Sequence, residues 1–377
     1  LETTALSELH VYGQTDKTIE IEILHVFVFI IIASGVLFIL FFLELYNIVR
    51  MLYTIAGSSA LALVIFLPLY RLLARKLRFD ILNKPICERC VTCGYHELTF
   101  LDISSIVSGF AVGITWLWYG FYKVGAEVQA LYWITQDIMG ISICIAALRI
   151  IQLNKVQVAT VLLAIVFIYD IFFVLITPLA FGGESVMMAV AMTGGAPPNP
   201  DYCEKYPTED ECRGGDPLPT YLSLPRIDDY RGGMSALGLG DIVLPGLLIS
   251  FAIRLDVSKR FAEFMRIYMR SGSVGCNQKQ SKGVGKELLS GYFIWLILAY
   301  SVGLLIAYIV FSYTKIKEPA ARLYLVPFCL GMMFMLGWKR EETAILWSGP
   351  KVLKTLQHVM SLRETIRIVS IDWNEIF

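Results

Sequence analysis

The chain has 377 residues, of which 56% are hydrophobic and 17% are charged, and its mean hydropathy is +0.63. Soluble domains carry about 25% charged residues, so this composition excludes an ordinary soluble enzyme and indicates a polytopic membrane protein. Lys and Arg together number 32, as do Asp and Glu, so the formal net charge is zero. Without a basic surface field, the chain is not expected to bind nucleic acid.

Apolar segments, taken in chain order, predict the fold. Segments of about 20 mainly apolar residues can cross a bilayer as helices. The sequence has eight, at residues 23–44, 48–70, 103–122, 131–150, 156–178, 233–253, 287–312 and 320–338. The predicted fold class is therefore an all-α polytopic membrane protein, a helical bundle. The chain divides into a polar N-terminal segment, a first group of spans, a loop, a second group of spans and a polar tail, at residues 1–22, 23–178, 179–231, 232–338 and 339–377.

The distribution of basic residues predicts the orientation in the membrane. Lys and Arg remain on the cytoplasmic side, and they concentrate in the connections at residues 71–101 and 254–286. With both connections in the cytosol, the C-terminal tail is also cytosolic and the loop at residues 179–231 is lumenal or extracellular. Because that side is oxidising, this loop is where Cys203 and Cys212 could form a disulfide, the alternative being two free thiols.

Four potential metal ligands lie between the second and third spans: Cys87, Cys90, Cys93 and His96. Structural zinc sites usually hold two pairs of ligands apart by a longer loop, whereas these four follow one another at close, uniform spacing. Free thiols, lipid-modified thiols or local packing are therefore preferred over zinc. We predict no metal ion and no other cofactor.

Two spans carry one aspartate each, and these are the candidate functional residues. Asp170 lies in the run FIYDIFFVLITP and Asp241 lies in GLGDIVLPGLL. An ionised carboxylate in hydrocarbon is costly, so each aspartate is a functional hypothesis whose partner must be identified. At about 1.5 Å per helical residue, Asp170 lies roughly 12 Å before the end of its segment and Asp241 roughly 12 Å after the start of its own. Antiparallel helices would place both carboxyls at the same depth, so each is the expected partner of the other.

Two neighbouring carboxylic acids can support peptide-bond hydrolysis. Because both cannot ionise cheaply, the pair shares a proton, so one acts as general base on a water and the other as general acid on a carbonyl. Gly238 and Gly240 remove side chains on the approach to Asp241 and let backbones come close. The hydroxyl of Tyr169 could hydrogen-bond a carboxyl or a substrate carbonyl, or its ring could serve packing alone. Intramembrane aspartates also serve as ion ligands and proton relays, so proton- or ion-coupled transport stays open.

Three motifs occur in order on the late spans: FIYDIFFVLITP, GLGDIVLPGLL and RLYLVPFCLG. Together they resemble the signature regions of the GxGD intramembrane aspartyl proteases, and the signal peptide peptidase-like (SPP/SPPL) branch more closely than presenilin. The resemblance extends over residues 23–340 and implies a nine-span bundle with the aspartates on the sixth and seventh spans. The eight visible spans would be the second to the ninth, with the first span, and any N-terminal lumenal domain, trimmed before Leu1. The resemblance implies that Asp170 and Asp241 are catalytic, with the motif neighbours Tyr169, Gly238, Leu239 and Gly240.

The third motif departs from the family pattern. In the family, Pro-Ala-Leu runs directly into Leu-Tyr-Leu-Val-Pro, whereas this chain has Arg322 immediately before that sequence. The resemblance assigns substrate positioning to the PAL-like residues Pro319, Ala320, Ala321 and Leu323. We expect Arg322 to extend to the lumenal surface rather than toward the aspartates. Asp137, at the start of its span, is expected to be an interfacial or capping residue.

The resemblance also implies the reaction and the setting. It implies an endopeptidase that cleaves within transmembrane segments of single-span membrane proteins, with type II proteins as the expected class and homo-oligomerisation open. The expected location is the endosome, lysosome or Golgi rather than the endoplasmic reticulum. The alternatives are a presenilin-type catalytic subunit that needs partner proteins, and a proton- or ion-coupled transporter that uses the same carboxylates.

Overall fold

The computed structural model describes residues 19–20, 23–43, 46–76, 85–87, 98–122, 126–176, 219–225, 234–271, 291–314 and 321–349. Within these residues the α-helices are α1 (Ile23–Leu43), α2 (Tyr46–Leu61), α3 (Leu67–Lys76), α4 (Phe100–Tyr122), α5 (Ala126–Ile150), α6 (Val156–Asp170), α7 (Leu239–Ser271), α8 (Tyr292–Thr314), α9 (Arg322–Lys339) and α10 (Thr343–Ser348). A π-helical segment, Ala62–Phe66, joins α2 to α3, and a second, Ile171–Ile176, continues α6.

Each of the eight predicted spans contains a helix in the structure. By length and composition alone, five helical stretches of the described residues could cross a membrane: Asn47–Ala74, Phe100–Gly120, Tyr132–Ile150, Val156–Phe173 and Tyr292–Val310. The other three predicted spans correspond to α1, which holds a shorter apolar stretch at Ile23–Val36, and to α7 and α9. The prediction of a polytopic α-helical membrane protein is confirmed.

Short strands are the feature that the all-α prediction did not include. Among the described residues they form three two-stranded pairings. The pairs are β1 (Ile19–Glu20) with β4 (Ile151–Gln152), β2 (Pro85–Cys87) with β3 (Leu98–Thr99), and β5 (Tyr221–Pro225) with β6 (Met234–Gly238). The predicted start of the sixth span near residue 233 is wrong, because β6 occupies residues 234–238 and α7 begins only at Leu239. Non-helical backbone at membrane depth requires hydrogen-bond partners within the protein, and β5 provides them.

The main core is formed where α6, α7, α8 and α9 pack together. Each of these helices contributes side chains with almost no exposed surface, such as Leu163, Phe251, Leu296 and Met333. A second, smaller core joins α2, α4 and α5 through Tyr53, Trp116 and Met139. Because α6 and α7 share the larger core, the aspartates that they carry are held in a rigid frame.

The outward faces are apolar, as expected for helices surrounded by lipid. For example, Ile31 is 72% exposed and Ile168 is 63% exposed. Between helices, small residues permit close packing. A Cβ atom at Gly109 of α4 would lie 2.5 Å from the backbone oxygen of Ser58 and 2.9 Å from the Cβ of Ala62. Only glycine therefore fits this crossing without a shift of one helix.

A polar network joins α7, α8 and the α9–α10 turn at the end of the bundle opposite the β5–β6 hairpin. Glu342 accepts hydrogen bonds from Lys259 and from the hydroxyl of Tyr292, and the guanidinium of Arg340 lies 4.3 Å from the centre of the Tyr292 ring. Partial burial raises the pKa of Glu342, but the hydrogen bonds from Lys259 and Tyr292 and the charges of Lys259 and Arg340 outweigh it and hold that pKa below its ordinary value. Glu342 therefore stays ionised and keeps these elements together.

Candidate active site

Asp170 is placed by the junction between two kinds of helix. It is the last residue of α6, and the π-helical segment begins at the next residue, Ile171. The α6 face that carries it packs into the main core, and the Asp170 residue is only 1% exposed. Single π-helical turns inside α-helices occur frequently at functional sites, and here the change of helical geometry directly follows the carboxylate.

Asp241 is placed by a strand that turns directly into a helix. It lies in the first turn of α7, three residues after the end of β6 at Gly238, and is 5% exposed. The Gly238 amide donates a hydrogen bond to the Asp241 carboxylate, and the Leu239 amide donates to the Thr220 carbonyl oxygen at 3.0 Å. Negative charge is favoured at a helix N-terminus, so this position suits a carboxylate.

The two aspartates meet around a third side chain, Arg322. Its Nε atom lies 2.9 Å from Asp170 Oδ2 and 2.6 Å from Asp241 Oδ1. These two distances sum to 5.5 Å, which is therefore the greatest separation possible between the two carboxylate oxygens. The predicted apposition of Asp170 and Asp241 is thus present in the fold.

The expectation that Arg322 extends to the membrane surface is wrong. Its side chain is only 16% exposed and points into the dyad. The physical reason is that two carboxylates in a low-dielectric interior attract a cation more strongly than they would in water, and a buried carboxylate without a counter-charge is costly. The sequence therefore identified Arg322 as an unusual residue of the motif but did not predict the direction of its side chain.

The carboxylate oxygens facing Arg322 retain hydrogen-bonding capacity. Asp170 Oδ1 and Oδ2 and Asp241 Oδ1 are buried, and none of them accepts a well-aligned hydrogen bond from the described residues. The short distances from Arg322 Nε to Asp170 Oδ2 and Asp241 Oδ1 are therefore ion-pair contacts rather than well-aligned hydrogen bonds. These oxygens are the acceptors that a water molecule or a substrate group would use.

The motif neighbours have different roles. A Cβ atom at Gly238 would lie 3.3 Å from Asp241 Oδ2, so a side chain there would press on the carboxylate, whereas at Gly240 a Cβ atom would make an ordinary 3.7 Å contact with Arg322 Nη1. The ring of Tyr169 packs 4.5 Å from that of Phe173, between centres. Leu239 packs against the smaller core.

Sequence reasoning missed the hairpin that covers this site. In β5, Tyr221 pairs with Gly238 of β6. A Cβ atom at Gly238 would lie 3.7 Å from Cε1 of the Tyr221 ring and 3.3 Å from Asp241 Oδ2. The Tyr221 side chain, with its hydroxyl as a potential hydrogen-bond donor, therefore lies beside the Asp241 carboxylate. No motif in the sequence marks Tyr221.

The hairpin is anchored to α5 by the TQD sequence. Gln136 Nε2 donates to the Tyr221 carbonyl oxygen at 3.2 Å, and Asp137 Oδ1 accepts from the Ser223 amide at 2.9 Å. The Tyr53 hydroxyl in turn donates to the Gln136 carbonyl oxygen at 2.8 Å. Asp137 was expected to be an interfacial or capping residue, and it binds the backbone of β5 instead of capping its own helix.

The PAL-like region is described in part. Ala321 is buried against Leu325 and Ala307, and Leu237 of β6 packs against the same cluster, while Leu323 is partly exposed. This brings the start of α9 close to the end of β6. Pro319 and Ala320 lie outside the described residues, as do Cys203, Cys212, Cys90, Cys93 and His96. Within the described part of the chain, no cluster of side chains could hold a metal ion.

Fold and site together define a class of protein: a polytopic α-helical membrane protein with two buried carboxylates apposed at helix ends. Residues 13–352 match the family model described as signal peptide peptidase. The chain therefore belongs to the signal peptide peptidase family, which confirms the family recognised from the three motifs.

Individual relatives agree with this membership. The chain is 31% identical to Signal peptide peptidase-like 2 of Arabidopsis thaliana, over 92% of this chain and 54% of the relative. It is 36% identical to Signal peptide peptidase-like 5 of Oryza sativa subsp. japonica, over 61% of this chain and 35% of the relative. It is 29% identical to Signal peptide peptidase-like 2B of Gallus gallus, over 90% of this chain and 49% of the relative. The chain thus spans about half the length of the curated relatives or less. No solved structure matches it.

Proposed function

We propose that this chain is an intramembrane aspartyl endopeptidase that hydrolyses peptide bonds within the transmembrane segments of single-span membrane proteins, type II proteins being the expected class. The observation that supports this most directly is the apposition of two buried carboxylates, Asp170 and Asp241, at most 5.5 Å apart between their facing oxygens. A water oxygen about 2.7–2.8 Å from each can bridge that separation.

The proposed reaction needs no covalent intermediate. One carboxylate takes a proton from the bridging water as the water oxygen attacks the scissile carbonyl carbon, and the protonated member of the pair gives its proton to the carbonyl oxygen. When the tetrahedral intermediate collapses, a proton passes to the amide nitrogen and the C–N bond breaks.

A helical substrate must unwind before this attack, because its carbonyls are tied up in internal hydrogen bonds. We propose that the hairpin of β5 and β6 assists by pairing with an extended stretch of substrate, since among the described residues no third strand pairs with either of them. β6 ends at Gly238, three residues before Asp241, so a paired substrate strand would lie beside the dyad. Pro319, on the approach to α9, is a second proposed contact.

The test is cleavage of a single-span reporter by the purified chain in lipid or detergent. Asp170→Ala and Asp241→Ala should each reduce cleavage to the background level. Asp256→Ala is the matched control: it lies on the same helix as Asp241, about 22 Å away, and accepts a hydrogen bond from the Phe293 amide rather than facing the dyad. Full cleavage activity in either Asp170→Ala or Asp241→Ala would contradict the proposed two-aspartate mechanism.

Two alternatives make different predictions in the same assay. A presenilin-type subunit would cleave only after partner proteins are added. A proton- or ion-coupled transporter is favoured by one observation, the burial of two carboxyl groups within the helical bundle, since intramembrane carboxylates also mark ion pathways and proton relays. A transporter would move ions in proteoliposomes, lose that flux in Asp170→Ala and leave the reporter intact.

The proposed orientation has its own test. A glycosylation acceptor inserted near Pro198 should be modified, because the loop at residues 179–231 is proposed to be lumenal, and one inserted near Gln278 should not. The reverse pattern would overturn the orientation and the preference for the signal peptide peptidase side over presenilin. An endosomal, lysosomal or Golgi location and homo-oligomerisation are further proposals, to be checked by organelle fractionation and by crosslinking.

A further inference from the structure

We propose that Arg322 is a specificity-determining gate: it closes the aspartyl dyad and opens it to substrates that carry a carboxylate beside the scissile bond. This inference rests on the proposed proteolytic function.

The first step is the position of the guanidinium. Nε of Arg322 lies 2.9 Å from Asp170 Oδ2 and 2.6 Å from Asp241 Oδ1. A bridging water would place its oxygen at about the same distances from the same two atoms. Arg322 therefore occupies the place where the attacking water must stand, and hydrolysis requires that its side chain withdraw.

The second step is charge. A guanidinium is in effect always protonated, so Arg322 cannot supply the proton that the scissile carbonyl oxygen needs. As the counter-charge shared by Asp170 and Asp241, it also favours both carboxylates in their charged forms relative to an apolar residue at the same place. In the closed arrangement the guanidinium thus occupies the position of the water and cannot itself serve as the general acid.

The third step is that the closed arrangement can open. Arg322 is the first residue of α9, where the helix dipole disfavours a cation, and its contacts to the carboxylates are not aligned hydrogen bonds. A Cβ atom at Gly240 would meet only Arg322 Nη1 within 4 Å. Apart from the chain neighbours of Gly240, no other described residue comes within 4 Å of that position, so the contacts on the Gly240 side do not hold the guanidinium in place.

The fourth step identifies what draws it away. A side chain that is 16% exposed cannot leave two carboxylates without a new partner, because an unpaired buried cation is costly. A substrate paired along β6 would pass the start of α9, since Leu237 and Ala321 pack in one cluster. A Glu or Asp close to the scissile bond would supply the replacement anion and free the dyad at the moment the substrate is in place.

The experiment crosses two enzymes with two substrates. The wild-type chain and Arg322→Leu are each given reporters with Glu or Gln at one position, scanned over the four residues on either side of the scissile bond. At one position or more, the wild type should cleave the Glu reporter at least about tenfold faster than its Gln counterpart. Arg322→Leu should cleave both at similar rates, and the Gln reporter faster than the wild type does.

Controls separate this effect from misfolding. Arg322→Lys keeps the charge without the planar fork and should retain part of the preference. Arg254→Leu removes an arginine midway along α7, where it bonds the Gln152 side chain and the Leu153 carbonyl, and should leave the Glu-to-Gln ratio unchanged. Thermal unfolding of each variant verifies the fold.

The outcomes are distinguishable. If the ratio of the Glu to the Gln cleavage rate is the same in the wild type and Arg322→Leu, with both enzymes active, the proposed gate is wrong and the proposed protease function is unaffected. Loss of cleavage in a folded Arg322→Leu also overturns the gate, because the arginine would then be required rather than obstructive. If no reporter is cleaved by any variant, the proposed function itself fails.

Discussion

Replacement of Asp137 tests whether the hairpin positions the dyad. In Asp137→Ala, the Ser223 amide loses the acceptor that holds β5 to α5 at 2.9 Å. The loosened strand is the one whose Tyr221 pairs with Gly238, and the Gly238 amide bonds the Asp241 carboxylate. A change 104 positions before Asp241 in the sequence should therefore lower cleavage without touching either aspartate.

The size of the effect follows from the bond that is lost. A hydrogen bond to a charged group contributes about 1.5–3 kcal/mol net. If the whole free energy of this hydrogen bond serves to hold Asp241 in its catalytic position, its loss lowers kcat/KM for the single-span reporter by about 13- to 160-fold, at 1.36 kcal/mol per factor of ten. The second anchor, from Gln136 to the Tyr221 carbonyl, remains, so the lower part of this range is expected.

Asp137→Asn is the matched control, because its amide oxygen can still accept from Ser223. A neutral hydrogen bond contributes about 0.5–1.5 kcal/mol, so Asp137→Asn should lose clearly less activity than Asp137→Ala, and the thermal midpoints of the two variants should lie within a few degrees of each other. Equal losses of cleavage activity in Asp137→Ala and Asp137→Asn would contradict this prediction, since they would show that the charge of Asp137, and not its bond to β5, matters.

Two further predictions concern stability. Gly109→Ala should lower the free energy of unfolding by about 1–3 kcal/mol through overpacking against Ala62. Gly331→Ala, whose added Cβ atom would meet nothing within 4 Å, should raise the free energy of unfolding by up to about 1 kcal/mol. Unfolding in mixed micelles measures both variants, and equal effects would exclude a tight helix crossing at Gly109. Because the pKa of Glu342 is lowered on folding, its stabilising contribution is present above its ordinary value of 4.5 and is lost as pH falls through the folded value. For a partly exposed pair with Lys259 this is about 1 kcal/mol or less, and Glu342→Gln should abolish that part of the acid dependence in thermal unfolding between pH 6 and 3.

Much of the site could be predicted because its signals are local. Asp170 and Asp241 stand out as lone carboxylates in apolar runs, and the YD and GLGD motifs mark them independently of any fold. Their apposition followed from the equal depth assumed for two antiparallel helices. That assumption was only partly right, because Asp241 lies in the first turn of α7 and β6 takes the preceding residues.

The contacts that could not be predicted join residues distant in sequence. Asp137 and Ser223 are separated by 86 positions, and neither carries a motif that points to the other. The side chain of Arg322 could extend in either of two directions, toward the membrane surface or toward the dyad. Local pattern contains no information about it, because the energies of the two options depend on which groups the rest of the fold brings near.

Composition and motifs are enough to identify a polytopic membrane protein of the signal peptide peptidase family with an aspartate in each of two late spans. Apolar length, the scarcity of charge and short motifs are properties of contiguous residues, so they can be read along the chain. The position of Arg322 between Asp170 and Asp241, and that of a hairpin held by α5 beside Asp241, become visible only in the folded chain. A buried charge takes its orientation from its partners in space, and those partners are brought together only when the helices pack.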